Sequence, residues 1–357
     1  MRFSVAGVVA FAMLAVVLIP ATPVAAEDHS DDNVYSVTAL VSNNAALAPR
    51  VDPHLVNAWG LVAGPTTPWW VSDNGVDLST LYSAAGQKIG LEVSVAGAPT
   101  GVVFNGLSTS FLIGTARARF IFSTESGTIA GWNGAGAARA MVDSSGAGAV
   151  YKGLAIASTS TGPRLYATDF HNGRVDVFND AWGAVDTSGA FVDEKIPAGF
   201  APFGIQTIGD RIFVTYAKQA EGAKDDVPGR GFGFVDAFDF AGNLLTRVAR
   251  HGQLNAPWGL AMAPENFGRF SGDLLVGNFG DGQVNAYREN HDGKFQHVGT
   301  LRTEDGKKLV IDGLWALEFG NGAANNGPTT TLFFTAGPNG EADGLFGTIS
   351  AVQSDDG

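Results

Sequence analysis

The chain of 357 residues contains no cysteine, so disulfides and thiol chemistry are excluded. Basic residues are scarce: 22 Lys and Arg stand against 35 Asp and Glu, a formal charge of −13. No block is basic enough to track a phosphate backbone, so nucleic acid is not an expected partner. Charged residues make up only 16% of the chain and apolar residues 45%, which excludes a disordered polymer. No apolar run reaches the roughly 20 residues of a membrane-crossing helix. The run Val5–Ile19 follows Arg2 and is broken by Pro20 and Pro23, with the small residues Val24-Ala25-Ala26 behind them. That layout predicts a secretory signal over 1–26 with cleavage after Ala26. The expectation is a secreted or periplasmic, extracytoplasmic protein, with 27–357 as a single domain and no membrane span after cleavage. Gly-x-Ser-x-Gly, His-Glu-x-x-His, Walker and dinucleotide fingerprints are all missing from the sequence.

Glycine is abundant, with 48 residues, and its placement is periodic. A glycine followed by apolar residues recurs in Trp59-Gly60-Leu61, Thr100-Gly101-Val102, Lys152-Gly153-Leu154, Phe203-Gly204-Ile205, Trp258-Gly259-Leu260 and Asp312-Gly313-Leu314. The glycine spacings are 41, 52, 51, 55 and 54. A second apolar stretch follows each, as in WWVSDNG (69–75), RLYATDFHNG (164–173) and DLLVGNFGDG (273–282); Asn-Gly or Asp-Gly then marks a hairpin. A third strand and a weaker, more polar fourth complete each repeat. Six copies of about 50 residues with four strands each predict an all-β, six-bladed propeller. Copy six ends after its third strand, and VYSVTALV (34–41) precedes copy one as a spare. Pairing the two closes the ring and removes a free edge. Helix candidates are short, such as Pro264–Phe267.

In such a ring the loops between strands two and three share one face with the segments leading into strand one, around one mouth of the central channel. Those loops bring Asn57, Asp73, Asn74, Glu125, Tyr216 and Asn255 forward as candidate ligand-binding residues. Asp52, Asp169, Asn278 and Asp312 are candidate ligands for a divalent cation such as calcium. His54 and His171 are the histidines on these loops and the candidate proton carriers. Asp and Asn also suit tight turns, which is a structural explanation for many of them. The long segment 216–231 is expected as a lid or a solvated insertion. A small molecule, glycan or protein bound at the mouth of a monomer, without catalysis, is the expected function. A metal-assisted hydrolase or lactonase is the alternative.

The stretches PENFGRFSGDLLVGNFGDGQVNAYR (264–288), DGLWALEFGNG (312–322), TLFFTAGPNGEADGLFG (331–347) and NAWGL (57–61) make the resemblance specific. The chain resembles a bacterial family of exported propeller proteins of uncharacterised function, from about Val34 to Val352. More distantly it is similar to NHL-repeat and gluconolactonase-like six-bladed propellers. In the latter, carboxylate and Asn side chains hold a divalent cation at the channel mouth. The early Glu expected beside strand one has no counterpart here, where Asn57 and Trp59 stand.

Overall fold

The computed structural model describes residues 33–352, together with Met1 and Phe3. Apart from those two residues, the expected signal over 1–26 lies outside the described residues. The chain forms six antiparallel sheets in a ring. Blade one comprises Ala58–Ala63, Trp69–Asp73, Leu78–Tyr82 and Val93–Ser94; blade two Pro99–Phe104, Phe120–Thr124, Thr128–Trp132 and Arg139–Asp143. Blade three comprises Tyr151–Thr159, Gly162–Asp169, Arg174–Asn179 and Ala184–Val185; blade four Phe200–Ile208, Arg211–Lys218, Phe234–Phe238 and Leu244–Arg250. Blade five comprises Pro257–Met262, Leu274–Asn278, Val284–Glu289 and Phe295–Thr300. Blade six takes Leu314–Phe319, Leu332–Ala336 and Leu345–Ala351 from the C-terminal part and Tyr35–Ser42 from the N-terminal part. The closing pair runs antiparallel from Tyr35 opposite Ala351 to Ser42 opposite Leu345. Arg50–Val51 adds a short parallel rung outside it. The segment expected as a short helix, 264–267, is a turn that leads into a single 3-10 turn at Gly268–Phe270.

Strand alternation places one apolar set on each side of every blade, and blades stack through these sets. The buried side chains accordingly group by seam. Trp70, Leu81 and Val93 of blade one pack on Phe120 and Trp132 of blade two. Tyr166 and Val177 of blade three pack on Val214 and Phe234 of blade four. The seam between blades six and one extends to the axis, where Trp59, Phe203, Trp258 and Trp315 meet. Trp59 and Trp315 stack with centroids 3.5 Å apart, and Trp258 stands edge-on to both at 6.2 and 5.9 Å. This aromatic plug comes from the residue before the recurring glycine, or before Ala316 in blade six.

The glycine itself is a packing requirement. Each first strand is irregular here, as between Pro202 and Ile205 or between Pro257 and Leu260. A Cβ on Gly204 would lie 2.1 Å from the Trp258 carbonyl oxygen of the next blade. A buried hydroxyl from strand two fastens this bulge to its neighbour. Gly204 N–H donates to Thr215 Oγ1 (2.8 Å), and that hydroxyl donates to the Pro257 carbonyl (2.6 Å). Gly153, Thr168 and the Phe203 carbonyl repeat the arrangement. So do Ala316, Thr335 and the Trp59 carbonyl, across the closing seam. The sixth copy of the motif is therefore Trp315-Ala316-Leu317 and not Asp312-Gly313-Leu314. Gly313 has φ 65° and occupies the turn that precedes the strand, a place held by Asn57 (φ 47°), Ala98 (φ 58°) and Ala256 (φ 44°) in blades one, two and five.

Candidate functional site

The channel mouth on the strand-two/strand-three face is built by a repeated backbone contact. The residue after strand two donates its N–H to the residue that opens strand one: Asn74 to Asn57, Glu125 to Ala98, Phe170 to Val150, Phe279 to Ala256, Gly337 to Gly313. These residues stand as a second tier above the aromatic plug, and Phe279 stacks on Trp315 at 4.0 Å. Lys152 belongs to the plug tier, being the residue before Gly153 where blades one, five and six have Trp. Its side chain is 2% exposed. The Lys152 ammonium pairs with Glu125 Oε1 and lies 4.9 Å above the Trp59 ring.

From this pair a polar circuit runs round the mouth. Asn74 Nδ2 reaches Glu125 Oε2 at 3.5 Å; Asn57 Nδ2 donates to Asn74 Oδ1 (3.2 Å) and to Glu341 Oε2 (2.6 Å). Asn57 Oδ1 accepts from the Trp315 indole at 3.1 Å, tying the circuit to the plug. The left-handed backbone of Asn57 is one Asn tolerates at low cost, and it leaves both ends of the amide bonded within the mouth. Glu341 also has a positive φ, 69°, in the loop after strand two of blade six.

The covering segment begins later than expected, because strand two of blade four continues to Lys218. Its root is pinned: Gln219 Nε2 donates to the Phe170 carbonyl (2.6 Å), and Gly229 N–H donates to Asn255 Oδ1 (2.6 Å). Over the mouth it places Lys224 Nζ 3.5 Å from Glu125 Oε2 and Asp225 4.0 Å from the Lys152 ammonium. Asp226 turns inward, and its Oδ2 is shielded without a hydrogen-bond partner. Four carboxylates thus share the site with two ammonium groups. Burial pushes the Glu125 carboxyl up, but Lys152, Lys224 and Asn74 more than offset this and leave it below its ordinary value. Burial raises Glu341 despite its bond from Asn57, with Glu125 and Asp225 adding to the rise. Burial also pushes Asp226 up to about 7, against the pull of Lys152.

Of the expected ligand-binding residues, Asn57, Asn74 and Glu125 meet at this mouth. Asn255 serves it indirectly by holding the root of the covering segment. Tyr216 is corrected: it lies on strand two of blade four, 4% exposed, packed between blades three and four. Asp73 is fully buried inside blade one, accepts from Thr80 N–H, and is held well above the usual carboxylate range by burial. The expected metal ligands stay apart in different blades. Asp169 accepts from Asn172 and Val150 N–H, Asn278 donates to the Gln253 carbonyl and Asp281, and Asp312 accepts from Asn339 N–H. Each stabilises its own turn or the loop beside it, as turn chemistry requires. His171 Nδ1 is 3.2 Å from the Gly222 carbonyl of the covering segment.

Asp52 and His54 do enter one cluster, with Glu92. Among the described residues these are the three acidic or His side chains that offer ligand atoms within 4.8 Å of one another. The Lys88 ammonium stands between the two carboxylates, 2.7 Å from Asp52 and 2.5 Å from Glu92, and Tyr82 donates to Asp52 (2.6 Å). Lys88 therefore supplies the positive charge that a cation would bring. Lys152, Glu341 and Asp226 were not among the expected site residues. Lys152 carried a readable signal, as a charged residue at a position that is aromatic in four of the six copies.

At the opposite end of the channel, the first strands enclose a cavity with about 30 Å³ of room for water, lined by Gln206, Trp258 and Glu318 among others. Burial pushes the Glu318 carboxyl up to about 8, partly countered by the Ala63 N–H it accepts.

No family model matches the chain. It is similar in structure to a protein of unknown function from Bacteroides thetaiotaomicron, with a TM-score of 0.55 and 11% identity over 88% of this chain and 76% of that one. It is also similar to virginiamycin B lyase from Staphylococcus aureus solved with quinupristin, with a TM-score of 0.51 and 10% identity over 89% and 100%. At such identity the likeness concerns the fold. Uncharacterized protein R648 of Acanthamoeba polyphaga mimivirus is 30% identical over 344 residues, 89% of this chain and 81% of the viral one. The sequence motifs resemble a bacterial family, whereas this relative, which shows membership, is viral: the chain belongs to the propeller family of mimivirus protein R648.

Proposed function

We propose that the chain is an exported binding protein that takes a small polar ligand at the mouth of its central channel and does not transform it. The observation that carries this reading is the Lys152–Glu125 pair, set over an aromatic plug and wired through Asn74 and Asn57 to Glu341 under the 219–233 segment. Shielded charges and amides held by rigid strands are what orient a ligand, and a covering loop excludes water around it. The export part of the reading rests on the segment 1–26.

The alternative, a metal-assisted hydrolase, draws on the Asp52–His54–Glu92 cluster. A metal there would have to displace Lys88, which both carboxylates already hold. That requirement favours the binding reading.

Trp59, Trp258 and Trp315 lie under the mouth, so their fluorescence should report occupancy. A panel of amines, amino sugars, short glycans and neutral sugars is titrated against the wild type and against Asn57→Ala and Lys152→Met. A true ligand at about 100-fold its Kd raises stability by ~3 kcal/mol and changes the fluorescence. The Kd should rise at least ten-fold in Asn57→Ala, which roughly halves the stabilisation at the same concentration, and should shift by as much in Lys152→Met, upward for a ligand that Lys152 holds and downward for a cation that it repels. A ligand whose affinity is the same in all three proteins places the site elsewhere and defeats the proposal.

A further inference from the structure

The covering segment carries its own cation into the mouth. Gly222 (φ 85°) and Ala223 (φ 52°) turn the backbone left-handed just before Lys224. The Lys224 side chain, 58% exposed, then reaches inward to a carboxylate that is only 11% exposed. The two ends of that carboxylate differ. Glu125 Oε1 is held by Lys152, while Oε2 has only two long contacts, 3.5 Å to Asn74 and 3.5 Å to Lys224. A charge-assisted N–H···O bond is shorter, about 2.8 Å. The Glu125 Oε2 position is therefore provided with a cation but not well filled by it.

Two further polar groups lack partners, one on the covering segment and one in the plug below. Asp226 Oδ2 is shielded and makes no hydrogen bond. The Trp59 indole N–H, on a residue 3% exposed, also makes none. Carboxylates outnumber ammonium groups four to two: Glu125, Asp225, Asp226 and Glu341 against Lys152 and Lys224. The indole floor suits the alkyl stem next to an ammonium.

We propose that the ligand carries a primary alkylammonium group, and that Lys224 is an internal stand-in which the ligand displaces from Glu125. The proposal rests on the mouth being the binding site and names the chemistry that site accepts. A primary ammonium offers three donors. Glu125 Oε2 and Asp226 Oδ2 are the acceptors the mouth leaves open to it. Displacing Lys224 frees the tip of the segment while its root stays pinned at Gln219 and Asn255.

The test uses cadaverine as a free diamine and Nα-acetyl-lysine amide as a model of a lysine side chain, with 1-pentanol as the uncharged control. Binding to the full chain is measured by calorimetry at low salt. The wild type should bind one or both amines and not pentanol, and the preferred probe distinguishes a small diamine from a protein side chain. Lys224→Ala removes the competitor and should tighten binding roughly two- to five-fold, the size of an exposed ion pair. Glu125→Gln should weaken it by roughly ten-fold or more. Lys224→Ala changes an exposed residue, so it remains informative if Glu125→Gln fails to fold. Unchanged or weaker amine binding in Lys224→Ala overturns the stand-in. If neither amine binds but a neutral sugar does, and Lys152→Met abolishes that binding, the amine class falls while the mouth survives. If Lys152→Met leaves every binding partner unaffected, the mouth itself falls.

Discussion

At the scale of single residues, the fold depends on small groups in the right tier. Thr335 is fully buried; its hydroxyl accepts from Ala316 N–H and donates to the Trp59 carbonyl across the closing seam. Valine has the same shape and neither bond, so Thr335→Val leaves a buried donor and a buried acceptor unmet. We expect a loss of about 2–4 kcal/mol in denaturant unfolding, with most of it restored by Thr335→Ser. A neutral Thr335→Val would mean that the hydroxyls are incidental to blade stacking. The same tier shows what the sequence could disclose at this scale. Glycine spacing locates five of the six bulges, because a Cβ at Gly60, Gly101, Gly153, Gly204 or Gly259 would crowd the backbone of the next blade. It misplaces the sixth by three residues. Glycine also serves left-handed turns, and blade six has Gly313 in the turn and Ala316 in the bulge. The Trp that precedes Gly60, Gly259 and Ala316 marks the register better than the glycine does.

Among the elements, the 219–233 segment is one we expect to respond to pH, because it carries the Asp226 carboxyl into the mouth. Asp226 faces Lys152 and Glu341 beneath it, with Asp225 beside it on the same segment, and burial raises its carboxyl to about 7. An Asp on an open, solvated loop titrates near 3.9. Asp226 should therefore keep its proton to higher pH in the closed segment than in an open one. The contribution of Asp226 to closure is fully present below the ordinary value and is progressively lost as pH rises through about 7. Amide exchange over 219–229, corrected for its intrinsic rate, should accelerate between pH 6 and pH 8. Asp226→Asn should keep the segment closed and remove that dependence. Identical protection factors at both pH values would refute the coupling. The departure from regular blade spacing announced this segment in the sequence. Its start did not, because the apolar alternation of strand two continues through Tyr216 to Lys218, and Tyr216 is a core residue for that reason. Glu341 had no local signal: it reaches Asn57 only because blade six is folded back against blade one, 284 positions away in the chain.

For the whole molecule, the ring has one seam that is not continuous in sequence order, and the aromatic plug spans it. The Trp59–Trp315 stack and the Thr335 bond to Trp59 both join blade six to blade one. Blade six is complete only when Tyr35–Ser42 pairs with Leu345–Ala351; without that pair the sheet would present an unpaired edge. The chain has no cysteine, so an engineered pair can form a single disulfide without competing partners. Thr38 and Thr348 are Cα partners in the closing ladder and neither is fully buried. In Thr38→Cys/Thr348→Cys the bond would span roughly 310 residues, for which the chain-entropy relation gives an upper bound of about 6 kcal/mol. Cross-strand geometry rarely suits the bond fully, so we expect about 2 kcal/mol or more, read as a higher denaturant midpoint in the oxidised protein and reversed by reductant. The outcome separates two ways in which a propeller can come apart. If unfolding starts by release of the N-terminal strand, the oxidised protein must also unfold more slowly. If it starts at another seam, as between blades two and three, the equilibrium gain remains while the unfolding rate is unchanged, because the bond then constrains only the unfolded chain. An oxidised protein with neither gain would show that the closing pair is strained by the bond or already open in solution. The closure described by the Tyr35–Ser42 ladder would then not be what holds the channel mouth together.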